Sequence, residues 1–224
     1  MAAFHPGFEE LPAEIPVFPL PGALLLPGGR LPLNIFEPRY LAMVEDAMGT
    51  GRVLGMIQPD PGAPQGETGP GLYRIGCLGR LSSFAETEDG RFLITLTGLT
   101  RFRQEAELPM RRGYRRVRAE YASFRADLDL AEPPLLLDRV VLLGALRGFF
   151  RARGIEANWE AVEQTADSML VLTLAMVCPF EVREKQALLE AHTLQDRAAM
   201  LIALLQMGAH GRATGDLPPD SRPS

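Results

Sequence analysis

Lysine is almost missing from this chain. Of 23 basic residues in 224, only Lys185 is not arginine. Arginine stays protonated and binds through a rigid fork, so it suits recognition and makes a poor general base. Ser–Lys and Schiff-base chemistry is thereby confined to Lys185. Cysteine is as sparse. Cys77 and Cys178 stand far apart in the sequence, which excludes a disulfide framework and metal-type spacing. His5, His192 and His210 are scattered, so no metal and no cofactor is expected. Long apolar runs are lacking too. The most hydrophobic stretch, Met169–Val177, is too short to span a bilayer. The opening MAAFHPGFEELPAEIP has neither the basic start nor the apolar run of a signal peptide. Together these absences point to a cytosolic protein without membrane partners.

What is present is an ordinary globular composition, 46% hydrophobic and 23% charged, with a net charge of −5. The charge divides unevenly. Residues 1–125 balance, and residues 126–224 carry the whole deficit. That distribution is not built for non-specific polyanion binding.

The pattern reads as a β half followed by a helical half. Ile15–Pro21 is forced extended by its prolines and is expected at a sheet edge or strand entrance. Ala23–Leu26 and Leu31–Ile35 flank a Pro27-Gly28-Gly29 turn. Pro38 opens a helix whose apolar positions recur to Met48, and Gly49 stops it. Arg52–Gln58 returns to strand. Residues 58–71 hold four prolines and four glycines, which predicts a mobile surface loop with no anchor to a core. Tyr73–Glu86 and Phe92–Thr97 form a hairpin across Glu88-Asp89-Gly90. Gly98 breaks the run before Leu99–Arg103, and Tyr114–Tyr121 ends this half. Beyond Asp127 the period becomes helical. Pro133-Pro134 opens a helix with a stripe through Leu137, Val140, Val141, Leu143, Gly144 and Phe149, stopped by Gly154. Asn158 caps a short turn holding Trp159. Residues 167–177 are apolar almost all round, as a buried central helix would be. Pro179 starts the next helix, and Thr193 caps the last, which Gly208 ends. The expected architecture is α+β: a compact antiparallel β-barrel over residues 1–125, a helical bundle over 126–208, and a disordered tail over 209–224.

Several candidate sites have bland competitors. Arg111, Arg112, Arg115, Arg116 and Arg118, interleaved with Tyr114 and Tyr121, suggest an RNA surface of phosphate-binding forks and stacking rings. Strand alternation splits that cluster between two faces, and Glu105, Glu107 and Glu120 lie close enough in sequence to neutralise it. Ser168 with Lys185 is the one conceivable Ser–Lys pair, with no nucleophile elbow around either. Glu86–Asp89 reads as a solvated hairpin tip, and Trp159 as core. In Phe36-Glu37-Pro38-Arg39-Tyr40 the architectural reading is favoured, with Pro38 starting a helix and Arg39 pinning it. The alternative is a recognition edge polarised by Glu37 and Arg39.

The segments Pro16–Leu20, Leu24–Pro27, Leu31–Tyr40, Gly76–Gly79, Asp89–Phe92, Gly98–Phe102 and Lys185–Glu190, with Pro179-Phe180, Arg197 and Leu201, resemble the N-terminal, substrate-binding domain of Lon proteases. The likeness runs from about residue 13 to about residue 207. It implies a PUA-like β-barrel followed by a helical bundle, in agreement with the pattern above. No GxxxxGK[ST] phosphate loop is present, so neither ATP hydrolysis nor proteolysis carries over. The resemblance implies a stand-alone, non-catalytic module of bacterial type. Such a module binds unfolded or partly folded polypeptides as an adaptor or holdase for a protease or chaperone. On this reading Phe18, Leu33, Ile35, Phe36, Glu37, Arg39, Tyr40 and Arg101 are the peptide-binding residues. The mechanism is strand addition to an exposed edge within residues 15–27, or capture along the 58–71 loop or between barrel and bundle. An RNA-binding PUA-like protein is the alternative, and nucleic acid is the less expected partner.

Overall fold

Pro16 and Pro19 lie inside the first strand, β1 (Glu14–Pro19), and the pairing around them shows how a sheet tolerates both. Val17–Pro19 pair with β3 (Val53–Ile57), while Glu14–Val17 pair with β6 (Tyr114–Glu120). The stagger leaves each proline in register with one neighbour only, so its missing N–H falls where no partner is aligned. The expectation of an edge strand here is therefore corrected. The β1–β3 pair is also parallel, so the sheet is mixed rather than wholly antiparallel. Parallel neighbours need a crossover of a dozen residues or more. It is supplied by β2 (Arg30–Ile35) and helix α1 (Pro38–Gly49).

The computed structural model describes residues 6–129 and 135–210. The six strands are completed by β4 (Ile75–Glu86) and β5 (Phe92–Arg111). β5 runs for 20 residues without interruption, whereas the sequence suggested a break at Gly98. Its first half bonds β2 and β4, and its second half bonds β6. Pairing thus passes from β1 through β3, β4, β5 and β6 and returns to β1, with β2 outside this circuit on β5. Inside lie Ile15, Val17, Ile57, Leu78, Leu99, Phe102, Val117 and Tyr121. Gly98 marks a close approach instead of a strand end. A Cβ there would stand 2.1 Å from the Leu26 carbonyl oxygen. Leu24–Leu26 are fully buried yet form no strand.

The helices are α2 (Arg139–Arg153), α3 (Trp159–Gln164), α4 (Asp167–Val177), α5 (Val182–Glu190) and α6 (Leu194–His210). Two 3-10 segments, Phe8–Glu10 and Ala122–Leu128, flank the strands. The chain forms two compact units. One comprises the chain up to Glu132 together with Ala175–Glu190, and the other Pro133–Leu174 with the chain from Ala191 onward. Segment 175–190, which includes α5, thus groups with the sheet, where sequence patterning would divide the chain near residue 125.

In the second unit Asp138 caps α2 by accepting from Val141 N at 3.0 Å, and Gly154 ends it in the left-handed region. The buried stripe is Leu142, Leu146, Phe149 and Phe150. This differs in phase from the predicted one: Val140 is 83% exposed and Gly144 faces open space. Pro133-Pro134, the predicted helix start, lie outside the described residues. Arg139 donates to the carbonyls of Val162, Glu163 and Thr165, closing the C-terminus of α3, and pairs with Asp167. Asn158 caps α3 through Ala161 N, and Thr193 with Asp196 forms a reciprocal cap on α6. α6 continues past Gly208 to His210, and the expected tail from residue 211 lies outside the described residues.

Candidate functional site

The junction of β2 and α1 gathers most of the residues expected to bind peptide. Pro38 opens the helix, and the Glu37 carbonyl accepts from Tyr40 N and Leu41 N. Arg39 folds back on Glu37, with its Nε 3.0 Å and its Nη2 2.8 Å from Oε2. The guanidinium lies 4.5 Å from the centre of the Tyr40 ring, and that ring is 4.2 Å from Phe18. Burial pushes the Tyr40 hydroxyl above its usual range, against the opposing charge of Arg39. The residues therefore form a ladder from core to water. Phe18, Ile35 and Tyr40 are buried, Leu33 is half-buried, and Glu37, Arg39 and Phe36 reach solvent, Phe36 at 63% exposure.

Arg101 does not join them. It lies nine residues along β5 from Phe92, the partner of Ile35, or roughly 30 Å of extended chain. Its guanidinium makes a forked pair with Asp127 at 2.8 Å on both arms, donates to the Leu189 carbonyl, and covers the Phe124 ring. With both partners about nine-tenths buried, Arg101 fastens the 3-10 segment 122–128 and α5 to β5. That placement leaves its fork no arm for a client.

Two solvent-facing apolar side chains escaped sequence reasoning. Phe84 (40% exposed) sits on β4 with its ring 5.0 Å from Phe92, and Leu93 (47% exposed) sits on β5 opposite Asn34. Both lie near the sheet end that Phe36 extends, but on opposite faces: Phe84 shares a face with Ile94 and Leu33, and Leu93 with Ala85 and Asn34. A signal existed: in Phe92–Thr97, Leu93 occupies the alternate set whose other members are Thr95 and Thr97.

The arginine cluster is neutralised. Arg111 and Arg112 pair with Asp46 at 3.2 and 2.9 Å, and Arg112 also reaches Glu45 at 2.7 Å. Arg115 pairs with Glu107 and donates to the Pro70 carbonyl, while Arg116 pairs with Glu14. Both tyrosines are occupied as well. Tyr114 Oη donates to Asp46 at 2.7 Å and Tyr121 Oη to the Pro12 carbonyl at 2.9 Å. Burial and the Asp46 bond push Tyr114 up to about 12, and the Tyr114 bond holds Asp46 below the usual carboxylate range. Of the three acids expected to do this, Glu107 does; Glu14, Glu45 and Asp46 supply the rest.

Lys185 and Gln186 serve the fold. Lys185 Nζ donates to the carbonyls of Gly22 (2.7 Å) and Met176 (3.0 Å), and burial lowers its pKa. Gln186 donates to the Ile75 carbonyl, and Gln58 donates to Gln186 and to the Val182 carbonyl. The 58–71 loop is fastened in turn. Asp60 N bonds Gly71 O, Gly66 and Gly69 exchange bonds, and Thr68 donates to Glu107. Among the described residues no cluster of three His, Cys, Asp or Glu could hold a metal, and no helix is long and apolar enough to cross a membrane.

This arrangement, a mixed six-stranded sheet with α5 bonded to it and a separate helical unit, is the α+β fold of Lon N-terminal domains. A Lon N-terminal domain protein from Xanthomonas campestris matches with a TM-score of 0.60 at 23% identity, over 85% of this chain and 97% of that one. The N-terminal domain of a Mycobacterium avium complex Lon protease matches at 0.55 and 16%, over 86% and 97%. The chain belongs to the family of the ATP-dependent protease La (LON) substrate-binding domain, whose model matches residues 14–207. Lon protease of Anaeromyxobacter dehalogenans is 27% identical over 88% of this chain, and Lon protease 2 of Myxococcus xanthus 26% over 88%. The chain spans about a quarter of the length of these relatives, 23% and 24%, in their substrate-binding part.

Proposed function

We propose that this protein binds exposed apolar segments of unfolded or partly folded polypeptides without chemical turnover, as an adaptor or holdase for a protease or chaperone. The observation that carries the reading is the set of solvent-facing apolar side chains at one sheet end, Phe36 just past β2, Phe84 on one face and Leu93 on the other, in a substrate-binding-domain family. Desolvating such side chains supplies roughly 1.5–3 kcal/mol for each one fully buried, enough for weak and reversible capture when several act together. Glu37 and Arg39 give the rim a polar border. Of the residues first expected to touch peptide, Phe36, Glu37, Arg39 and the open side of Leu33 fit this role. Phe18, Ile35 and Tyr40 support them from beneath.

The test is fluorescence anisotropy with a labelled, permanently unfolded protein such as reduced and carboxymethylated α-lactalbumin. The wild-type chain is expected to bind at tens of micromolar or tighter without nucleotide. The Phe36→Ser, Phe84→Ser pair is expected to bind at least about tenfold more weakly, a loss of roughly 1.4 kcal/mol. Equal binding by the double variant, or no binding by the wild type, would overturn the proposal.

A further inference from the structure

β2 is bonded on one side only, to β5. The direction of its backbone groups follows from Pro32. Pro32 lies opposite Thr95, and the Thr95 carbonyl accepts from Ser82 Oγ, on the β4 side, at 3.1 Å. Thr95 therefore turns its main chain toward β4, and Pro32 turns its own away from β5. Alternation then sends Leu31, Leu33 and Ile35 inward to the ladder, and Arg30, Pro32 and Asn34 outward. Among the described residues, no hydrogen bond engages the outward N–H groups of Arg30 and Asn34 or the carbonyls of Arg30, Pro32 and Asn34. Two donors and three acceptors thus repeat along the edge about every 7 Å. That repeat is matched by the main chain of another extended strand.

We infer that β2 takes up an extended segment of client polypeptide along this free edge as a further strand, bonded through Arg30, Pro32 and Asn34. The inference rests on the polypeptide-binding reading above and adds a main-chain contact to the side-chain contacts at the sheet end, with Phe84 on β4 beyond the reach of the added strand. The two faces of β2 also set a side-chain pattern. Leu31 and Leu33 are half-buried and Ile35 is buried on one face, while Arg30, Pro32 and Asn34 are exposed on the other. A client segment with apolar residues at every second position therefore fits, and the intervening residues stay in water. Pro32 removes one donor from the edge. The loss limits pairing between copies and keeps client pairing weak enough to reverse.

The experiment uses the full chain and a soluble labelled octapeptide alternating leucine with serine or glutamate. Two N-methylated versions are compared, each lacking the amide donors of one alternate set. One version is expected to bind at least tenfold more weakly than the parent, and the other within about twofold. Asn34→Pro is expected to weaken the parent peptide, and Pro32→Val, which restores a donor, to tighten it about fivefold. Amide exchange at Arg30 and Asn34 should slow when peptide is bound. Equal binding of both methylated peptides with no gain in Pro32→Val would overturn the edge while leaving capture of unfolded protein intact. A wild-type dimer whose Arg30 and Asn34 amides are already protected would overturn it in favour of pairing between copies. Failure of every unfolded chain to bind would remove the underlying reading as well.

Discussion

Asp46 shows how far a single side chain can organise its surroundings. It accepts from Tyr114 Oη and from Arg112 and pairs with Arg111, so one carboxylate on α1 ties down the β5–β6 hairpin. Its pKa is held below the ordinary value of 3.8, first by the Tyr114 bond. A carboxylate lowered in the folded state stabilises it fully above the unfolded value, and the contribution fades as pH falls through the folded one. Asp46→Asn is therefore expected to melt below the wild type at neutral pH. The gap should narrow as the pH drops beneath about 4, as thermal unfolding followed by circular dichroism across that range would record. A gap that stayed constant with pH would mean that shape, not charge, explains the loss. Arg101 illustrates the opposite limit. A forked pair shielded from water derives its worth from completeness, because removing one partner strands a charge at a cost of about 3–5 kcal/mol. The sequence marks both residues as charged but cannot distinguish a solvent-facing fork from a sealed one, since that depends on the Phe124 ring and on Leu189, which is 88 residues away.

At the scale of elements, most boundaries could be read where a local rule acts alone. Pro38 and Gly49 bound α1, Asn158 caps α3, Gly154 stops α2 and Thr193 caps α6, all as their local chemistry dictates. What failed depends on partners distant in sequence. The prolines of β1 suggested an edge, yet staggered neighbours on both sides accommodate them. The α2 stripe was displaced because Val140 and Val141 look like core to any pattern that ignores α6. Gly98 looked like a strand break because composition cannot reveal the Leu26 carbonyl above it. Gly98→Ala tests that close approach. The clash is backbone against Cβ, so no rotamer relieves it, and a loss of about 2–3 kcal/mol is expected in urea unfolding. A change below about 0.5 kcal/mol would mean that segment 24–29 lifts away freely. The candidate site was half legible. The Ile35–Tyr40 run lies at the corner proposed above to meet clients, with Ile35 and Tyr40 buried beneath it, while Phe84 and Leu93 came to light only through strand register.

For the whole molecule, the β-then-α order was legible in the change of hydrophobic period, whereas the grouping of α5 with the sheet was not. That grouping is made by Lys185, Gln186 and Gln58, polar residues that a hydrophobic pattern passes over. The sole lysine is thus also a rivet, its amine held behind the carbonyls of Gly22 and Met176. An acylating reagent finds one lysine amine in the chain besides the α-amine, and reaches that lysine only when α5 lifts from the sheet. The rate at which mass spectrometry sees Lys185 modified then becomes a clock for that opening. It should tick orders of magnitude more slowly in native buffer than in denaturant.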